Sequence, residues 1–479
     1  MNRWIWVGLG AVKSLRPGVV VILLAQAGRA FDANAQTDTN LHTFGVSPNN
    51  GANPYAGLVQ GADGNFYGTT LLGGTHGHGA VFRISPGGGY TNLYSFSGYP
   101  NDGENPYGGL VQGSDGNYYG TTYHGGASDH GGVFRVSPGG SYTNLYWFGS
   151  SANDGRQPRA GLVQGMDGNF YGTASAGGTS FNGTVFRISP NGSYTNLYSF
   201  AGPPNDGRWP YGGLLQGSDG NLYGTTRGGG TADMGTVFRI SPGGGYTNLY
   251  SFSGYPGDGG WPNAGLVQGG DGNFYGTTTL GGTTNAGTVF RVGPSGGYTN
   301  LYTFNGYPGD GASPYGGLVQ GSDGNFYGTT LAGGTYNAGT VFRISAGGSY
   351  TTIYSFSGYP NDGEDPYGGL VQGGDGSFYG TTYNGGTNNE GAVVKLAVSL
   401  TAPANQISGI QLAGTNVIFR IPSVAGETYQ LQFSSSLTPT NWINVSGVSV
   451  TNSIGALLTL TNFGGGLQPQ GFYRLDITP

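Results

Sequence analysis

The sequence predicts an all-β protein, a seven-bladed β-propeller followed by a small immunoglobulin- or fibronectin-like β-sandwich. Three observations carry that prediction. A 52-residue segment recurs seven times, the full copy holds four short strand-like runs with no helical period, and the two ends of the array are complementary. Composition agrees. Of 479 residues, 102 are Gly and 25 Pro, a share of about 27% that would mark low complexity if it lacked a period. Gly does not fall at every third position, which excludes collagen. Charged residues at 8% and aromatics at 13% exclude a charged disordered tail. Seventeen basic against 23 acidic residues, net −6, argue against a nucleic-acid or anionic-membrane partner. The absence of Cys excludes disulfides, thiolate metal sites, a cysteine nucleophile and a lipidated-Cys anchor.

Residues 1–35 read as an export signal. Arg3, Lys13 and Arg16 supply positive charge, Val19 to Ala25 is a short apolar core, and Ala25-Gln26-Ala27 and Ala33-Asn34-Ala35 are small-x-small cleavage sites. So short an apolar run does not span about 30 Å of hydrocarbon. Cleavage after Ala35 leaves 13 basic and 22 acidic residues. The expected location is secreted, cell-surface or periplasmic, with no transmembrane segment in the mature chain.

The repeat is anchored by Gly-Leu-Val-Gln-Gly (Gly-Leu-Leu-Gln-Gly once), which starts at Gly57, Gly109, Gly161, Gly213, Gly265, Gly317 and Gly369. In the first copy, strand a (Gly57 to Gly61) is followed by an Asp63-Gly64-Asn65 turn and strand b, Phe66 to Thr70. A Gly-Gly loop leads to strand c, Val81 to Ile84, and a Ser85-Pro86-Gly87 turn to strand d, Tyr90 to Phe96. The runs are rich in Val, Ile, Phe, Tyr and Thr and are bounded by turn residues. The seventh copy has strands a to c but no d, whereas Leu41-His42-Thr43-Phe44 stands alone before the first copy and matches Leu93-Tyr94-Ser95-Phe96. An open solenoid gains nothing from that cut. A ring gains closure, because the N-terminal strand completes the last blade and protects its edge. The propeller is therefore expected over 41–396.

These motifs, G-L-V-Q-G-x-D-G-N-F-Y-G-T-T, G-T-V-F-R-I-S-P and Y-T-N-L-Y-S-F, resemble the GloVer tandem repeat of bacterial secreted proteins. The resemblance covers 41–396 and implies an exported protein carrying one of several C-terminal modules. It supplies no catalytic residues.

Residues 397–406 read as a linker and 407–479 as the sandwich, with strands expected at Ile410 to Ile421, Thr428 to Ser434, Trp442 to Val450, Ala456 to Asn462 and Gly471 to Ile477. Trp442 is its expected core anchor.

Seven Asp, Asp63 and its equivalents to Asp375, sit in the a–b turns. Strand c carries a matching cation, Arg83 and its equivalents, with Lys395 in the seventh copy. A ring of Asp–Arg pairs is the expected role, and Gln60 and its equivalents are expected to bond blade to blade. Asp102, Asp154, Asp206, Asp258, Asp310 and Asp362 lie in the d–a connections beside Tyr107, Tyr211, Tyr315, Tyr367, Trp209 and Trp261. In a propeller these connections share a face with the b–c loops. A carboxylate acceptor beside an aromatic plate, repeated round a ring, suits multivalent binding of a neutral polysaccharide, although turn chemistry explains the same residues. His76, His78, His124 and His130 lie in the first two b–c loops and could hold a divalent metal or act in acid–base chemistry, without a standard zinc spacing. No other cofactor is expected.

The leading functional reading is an exported, non-catalytic and monomeric binding or surface-interaction module for glycans, with an extracellular polysaccharide or cell-surface component as partner. The alternatives are a polysaccharide- or lactone-processing enzyme using the His cluster, and a structural envelope or matrix protein without a small ligand.

Overall fold

The computed structural model describes residues 3–4, 37–45 and 49–398, and in the C-terminal part 409–413, 416–422, 428–434, 443–451, 457–462 and 472–478. No helix occurs among them. The chain divides into two compact units, one formed by Gln36–Val319 and Phe326–Val398, the other taking Gln320–Asn325 and the chain's two ends.

The repeat builds seven four-stranded antiparallel sheets. In the first blade strand a is Val59–Gln60, strand b Phe66–Thr70, strand c Ala80–Ile84 and strand d Tyr90–Ser95. The last sheet closes as expected: Thr37–Thr43 pairs with Ala392–Ala397, which pairs with Phe378–Thr382 and so with Val371–Gln372. The closing strand starts at Thr37, four residues before the expected Leu41, because its ladder continues to Thr37↔Ala397. Every c–d pair carries a register shift at the same place, between Val81 and Phe82 in the first blade. A bulge at this position increases local twist and lets each blade lie obliquely on the next.

The cores lie between blades. Tyr67, Val81 and Phe96 of the first blade pack with Leu110, Tyr118, Phe134 and Val136 of the second. The same arrangement joins seventh to first, where Phe44, Tyr379 and Val393 meet Leu58, Phe66, Phe82 and Ile84. Strand b is buried on both faces along its whole length, and its buried Thr hydroxyls are hydrogen-bonded. Its central Gly68 is required because a Cβ there would come within 2.7 Å of the Phe82 ring. Gly57 meets a similar limit at the axis: a Cβ there would lie 2.6 Å from the Gly369 carbonyl.

Hydrogen bonds run round the whole ring. The buried hydroxyl of Thr69 donates to the Gly108 carbonyl of the next blade at 3.1 Å, and the series ends with Thr381 donating to Ala56 at 2.8 Å. The strand a glutamines bridge blades as expected: Gln112 accepts from Ala62 N–H at 3.0 Å, and Gln60 accepts from Gly374 N–H at 3.1 Å.

The a–b turns depart from the Asp–Arg expectation. Asp63 accepts from Asn65 N–H and Nδ2 and, at 2.8 Å, from the Tyr67 hydroxyl. Tyr67 stands directly across from Arg83 in the b–c ladder, so its hydroxyl takes the carboxylate while Arg83 reaches Thr91 at 3.4 Å. The seventh blade does carry an ion pair at this position, Lys395–Asp375 at 2.9 Å.

In the C-terminal part, Gly409–Ala413, Asn416–Pro422 and Leu457–Asn462 form one antiparallel sheet. Arg3–Trp4, Phe472–Thr478, Thr428–Ser434 and Ile443–Thr451 form another. The strand expected over Ile410 to Ile421 is thus a hairpin of two. Trp442, most of the linker and, apart from Arg3–Trp4, the export signal lie outside the described residues.

Two predictions test the closure and the turns. Phe44→Ala empties a fully buried site in the seventh-to-first interface and should cost about 3–5 kcal/mol, read as a lower Tm. Partial burial pushes the Asp375 carboxyl upward, but hydrogen bonds from Lys395, Tyr379 and Ser377 N–H outweigh it and hold the pKa at about 2 against 3.8 unperturbed. Asp63, Asp115, Asp167, Asp219 and Asp271 are lowered through the same hydrogen bonds from the turn and its Tyr. A depressed carboxylate stabilises the fold above its unfolded pKa and loses that contribution as pH falls through the folded value. Tm should therefore drop between pH about 4 and 2, and Asp375→Asn should shrink that drop.

Candidate functional site

Seven two-residue ribbons gather the candidate residues on one face. Each pairs a d–a connection with the b–c segment of the blade it enters, as Gly103–Glu104 does with His124–Gly125. Neighbouring blades are tied there by backbone bonds from Asn53, Asn105, Gln157, Trp209, Trp261, Ser313 and Asp365 N–H to the preceding b–c loop. These seven residues all have φ between 51° and 57°. Asn and Asp tolerate that left-handed conformation, whereas a bulky Trp at 57° is uncommon. Trp209 and Trp261 therefore occupy backbone positions that packing alone does not favour.

The six connection aspartates are not presented to a ligand. They are buried, at 1–7% exposure. Asp102 accepts from the Tyr94 hydroxyl, Ser97 N–H and Gly103 N–H at 2.8 Å each. Asp206 does the same with Tyr198, Ala201 and Gly207, and Asp362 with Tyr354, Ser357 and Gly363. Asp154 accepts from Tyr146 and Gly149 N–H, Asp258 from Tyr250 and Ser253 N–H, and Asp310 from Tyr302 and Asn305 N–H. This corrects the expected acceptor role: each carboxylate clamps its own connection. What the clamp lifts to the surface is the residue at the loop tip, Tyr99, Tyr255, Tyr307 or Tyr359, exposed at 57–61%.

Tyr107, Tyr211, Tyr315 and Tyr367 are elsewhere, at the mouth of the axial channel. With Tyr55, Arg159 and Asn263 they form one ring of equivalent positions around a cavity of about 170 Å3. Tyr55 stacks on Tyr367 at 4.6 Å and meets Tyr107 and Tyr315 edge-on at 4.9 and 5.9 Å, so tyrosines crowd one side of the mouth. Burial first, and then Tyr315, push the Tyr55 hydroxyl far up, so it stays a neutral donor. Opposite stand the cations. The Arg159 guanidinium lies 4.5 Å from the Tyr211 ring, 4.7 Å from Tyr123 and 5.1 Å from Tyr107. Arg227 lies 4.1 Å from Trp261, and Arg208 lies 3.8 Å from Trp209 while pairing with Asp233. Sequence reading passed over Arg159 and Asn263. Aligning the seven copies at Tyr55 would have exposed them, since the other four equivalents are Tyr.

The histidines do not form one ligand set. His78 pairs with Glu104 at 3.1 Å, His124 with Asp129 at 3.4 Å, and His76 is exposed. His130 packs near Gly149 in the next connection. Among the described residues no group of three or more His, Cys, Asp or Glu could hold a metal ion. His78 and His124 both lie beside Glu104, His78 through the ion pair and His124 as its partner across the two-residue ribbon, but each imidazole takes a carboxylate of its own.

A family model described as the Gloeobacter/Verrucomicrobia repeat matches residues 25–215 and 202–394. The chain belongs to that family. Solved structures are similar to the chain at low identity. The extracellular domain of a hybrid two component system from B. thetaiotaomicron is 11% identical with a TM-score of 0.50, over 90% of this chain and 57% of that one. The periplasmic gluconolactonase of Pseudomonas aeruginosa is 15% identical with a TM-score of 0.46, over 84% and 98%. At such identities the likeness is one of fold. No curated protein matches the sequence. No helix among the described residues is long and apolar enough to cross a membrane.

The clamp role is directly testable. Asp206→Ala leaves Ala201 N–H, Gly207 N–H and the Tyr198 hydroxyl without their acceptor and should cost at least about 2 kcal/mol in chemical denaturation.

Proposed function

We propose that this repeat protein is an exported, non-catalytic module that binds extended polysaccharide on the loop face, with the C-terminal strands forming a sandwich that serves attachment. The observation that carries the reading is the repeated exposure of Tyr99, Tyr255, Tyr307 and Tyr359 at one position of the repeat, each at the tip of a clamped loop. A Tyr ring offers an apolar plate for the C–H face of a sugar and a hydroxyl for its polar edge. The last three follow one another on consecutive connections, so a polymer reaching two of them gains effective concentration. Phe181 and Tyr336, both exposed at 63%, add aromatic surface in the b–c loops.

Affinity electrophoresis of the full chain through a neutral β-glucan gel tests this. Changing the four Tyr to Ser, the residue already present at the equivalent Ser151, should abolish retardation while leaving Tm unchanged. Single changes should weaken it only a few-fold, and the set by about a hundredfold. A quadruple variant that is retarded like the wild type would overturn the reading.

A further inference from the structure

We propose that the axial mouth is a separate binding site for a single sugar acid, a carboxylate with neighbouring hydroxyls such as a hexuronate unit. The site is the sector Arg159, Tyr211 and Asn263, where two of three adjacent ring positions abandon the tyrosine found in the other blades. It does not rest on the polysaccharide reading, which uses the outer loop tips.

Arg159 supplies the charge. Among the described residues no carboxylate lies within 4.0 Å of it; its one protein hydrogen bond is Nη2 to the Tyr123 hydroxyl at 3.3 Å. Its Nε is buried without a hydrogen-bond partner, although the group lines the cavity. Three tyrosine rings fix the guanidinium plane, so its free donors are preorganised for a planar oxyanion. Arg227 reinforces the field from behind Tyr211, whose ring centre lies 4.5 Å from one guanidinium carbon and 5.5 Å from the other. Arg227 likewise has no carboxylate within 4.0 Å among the described residues.

Asn263 supplies the acceptor. It is 7% exposed and also lines the cavity. Thr279 donates its hydroxyl proton to the Trp261 carbonyl at 2.9 Å and must therefore accept from Asn263 Nδ2 at 3.0 Å. That fixes the amide orientation and leaves Asn263 Oδ1 buried with no partner. An orphaned buried acceptor is costly in the free protein and suits a ligand hydroxyl. A fixed cation and an orphaned acceptor on either side of Tyr211 select an oxyanion with a hydroxyl close by. The cavity, at about 170 Å3, is smaller than the roughly 300–1,000 Å3 of sites that enclose drug-sized ligands, so it takes one unit and not a chain. The backbone agrees: the same sector holds Trp209 and Trp261 in the left-handed conformation that other blades give mostly to Asn, Asp or Ser.

Calorimetric titration of the full chain with glucuronate, glucose and glucose 6-phosphate tests the assignment. Glucuronate should saturate the protein below about 10 mM, weaken with added salt, and bind at least about tenfold more tightly than glucose, the scale of one charge-assisted hydrogen bond. Arg159→Gln should remove that preference and leave glucose binding where it was. Arg159→Tyr restores the residue used by most blades, which secures a folded variant, and should lose glucuronate as well. The assignment is overturned if wild type shows no glucuronate saturation, if it binds glucose equally well, if only the phosphate binds, or if both Arg159 variants keep the preference. Retardation by neutral glucan should be untouched in these variants, so failure of one proposal does not imply failure of the other.

Discussion

Everything in the propeller depends on closure of the ring, and closure depends on one misplaced strand. Thr37–Thr43 fills the outer edge of a blade whose other strands lie more than 300 residues later. Without it Ala392–Ala397 would expose an unpaired edge, and the Phe44 interface would be missing. The Thr381 to Ala56 and Gln60 to Gly374 bonds are the links that turn a row of equivalent contacts into a circle. The axial mouth exists only because that circle is complete.

The same repetition explains where function is to be sought. Positions that hold blade to blade barely vary, since each meets the same neighbour seven times: Thr69 and its equivalents, the strand a Gln, the buried Asp of the connections. Departures from the repeat are free to be chemical. Besides the histidines of the first two blades, one set collects in the loop face of the third to fifth, where Arg159, Asn263, Arg227, Trp209 and Trp261 replace the residues found elsewhere. Asp365 and Glu390 act on Tyr367 and Tyr383 across the mouth, adding to the upward push of burial. The mouth thus carries a guanidinium on one side and tyrosines on the other, although the repeat that builds it is nearly sevenfold.

Much of the fold was legible because a period of 52 residues and a cut inside one turn leave few topologies open. The chemistry was less so. Asp63 and Arg83 looked paired because both fall at one end of the blade, yet Tyr67, four residues from Asp63, reaches the carboxylate first. Asp102 looked like a ligand group because it recurs beside aromatic residues in connections that share the loop face. Here the connection folds back over its own Asp and buries it beneath Tyr94. The histidines looked clustered along the chain, yet His78 and His124 each pair with a carboxylate of their own.

By itself the sequence determined the number of blades, their strand order, the closing strand and the face on which the variable loops gather. Those follow from spacing and hydrophobic pattern, which are local properties repeated along the chain. The tertiary structure alone decided which side chains converge. Arg159, Tyr211 and Asn263 are 52 residues apart in turn and meet only because inner strands approach closely round an axis. Whether a carboxylate faces solvent or its own loop depends on burial, and burial is a property of the closed ring.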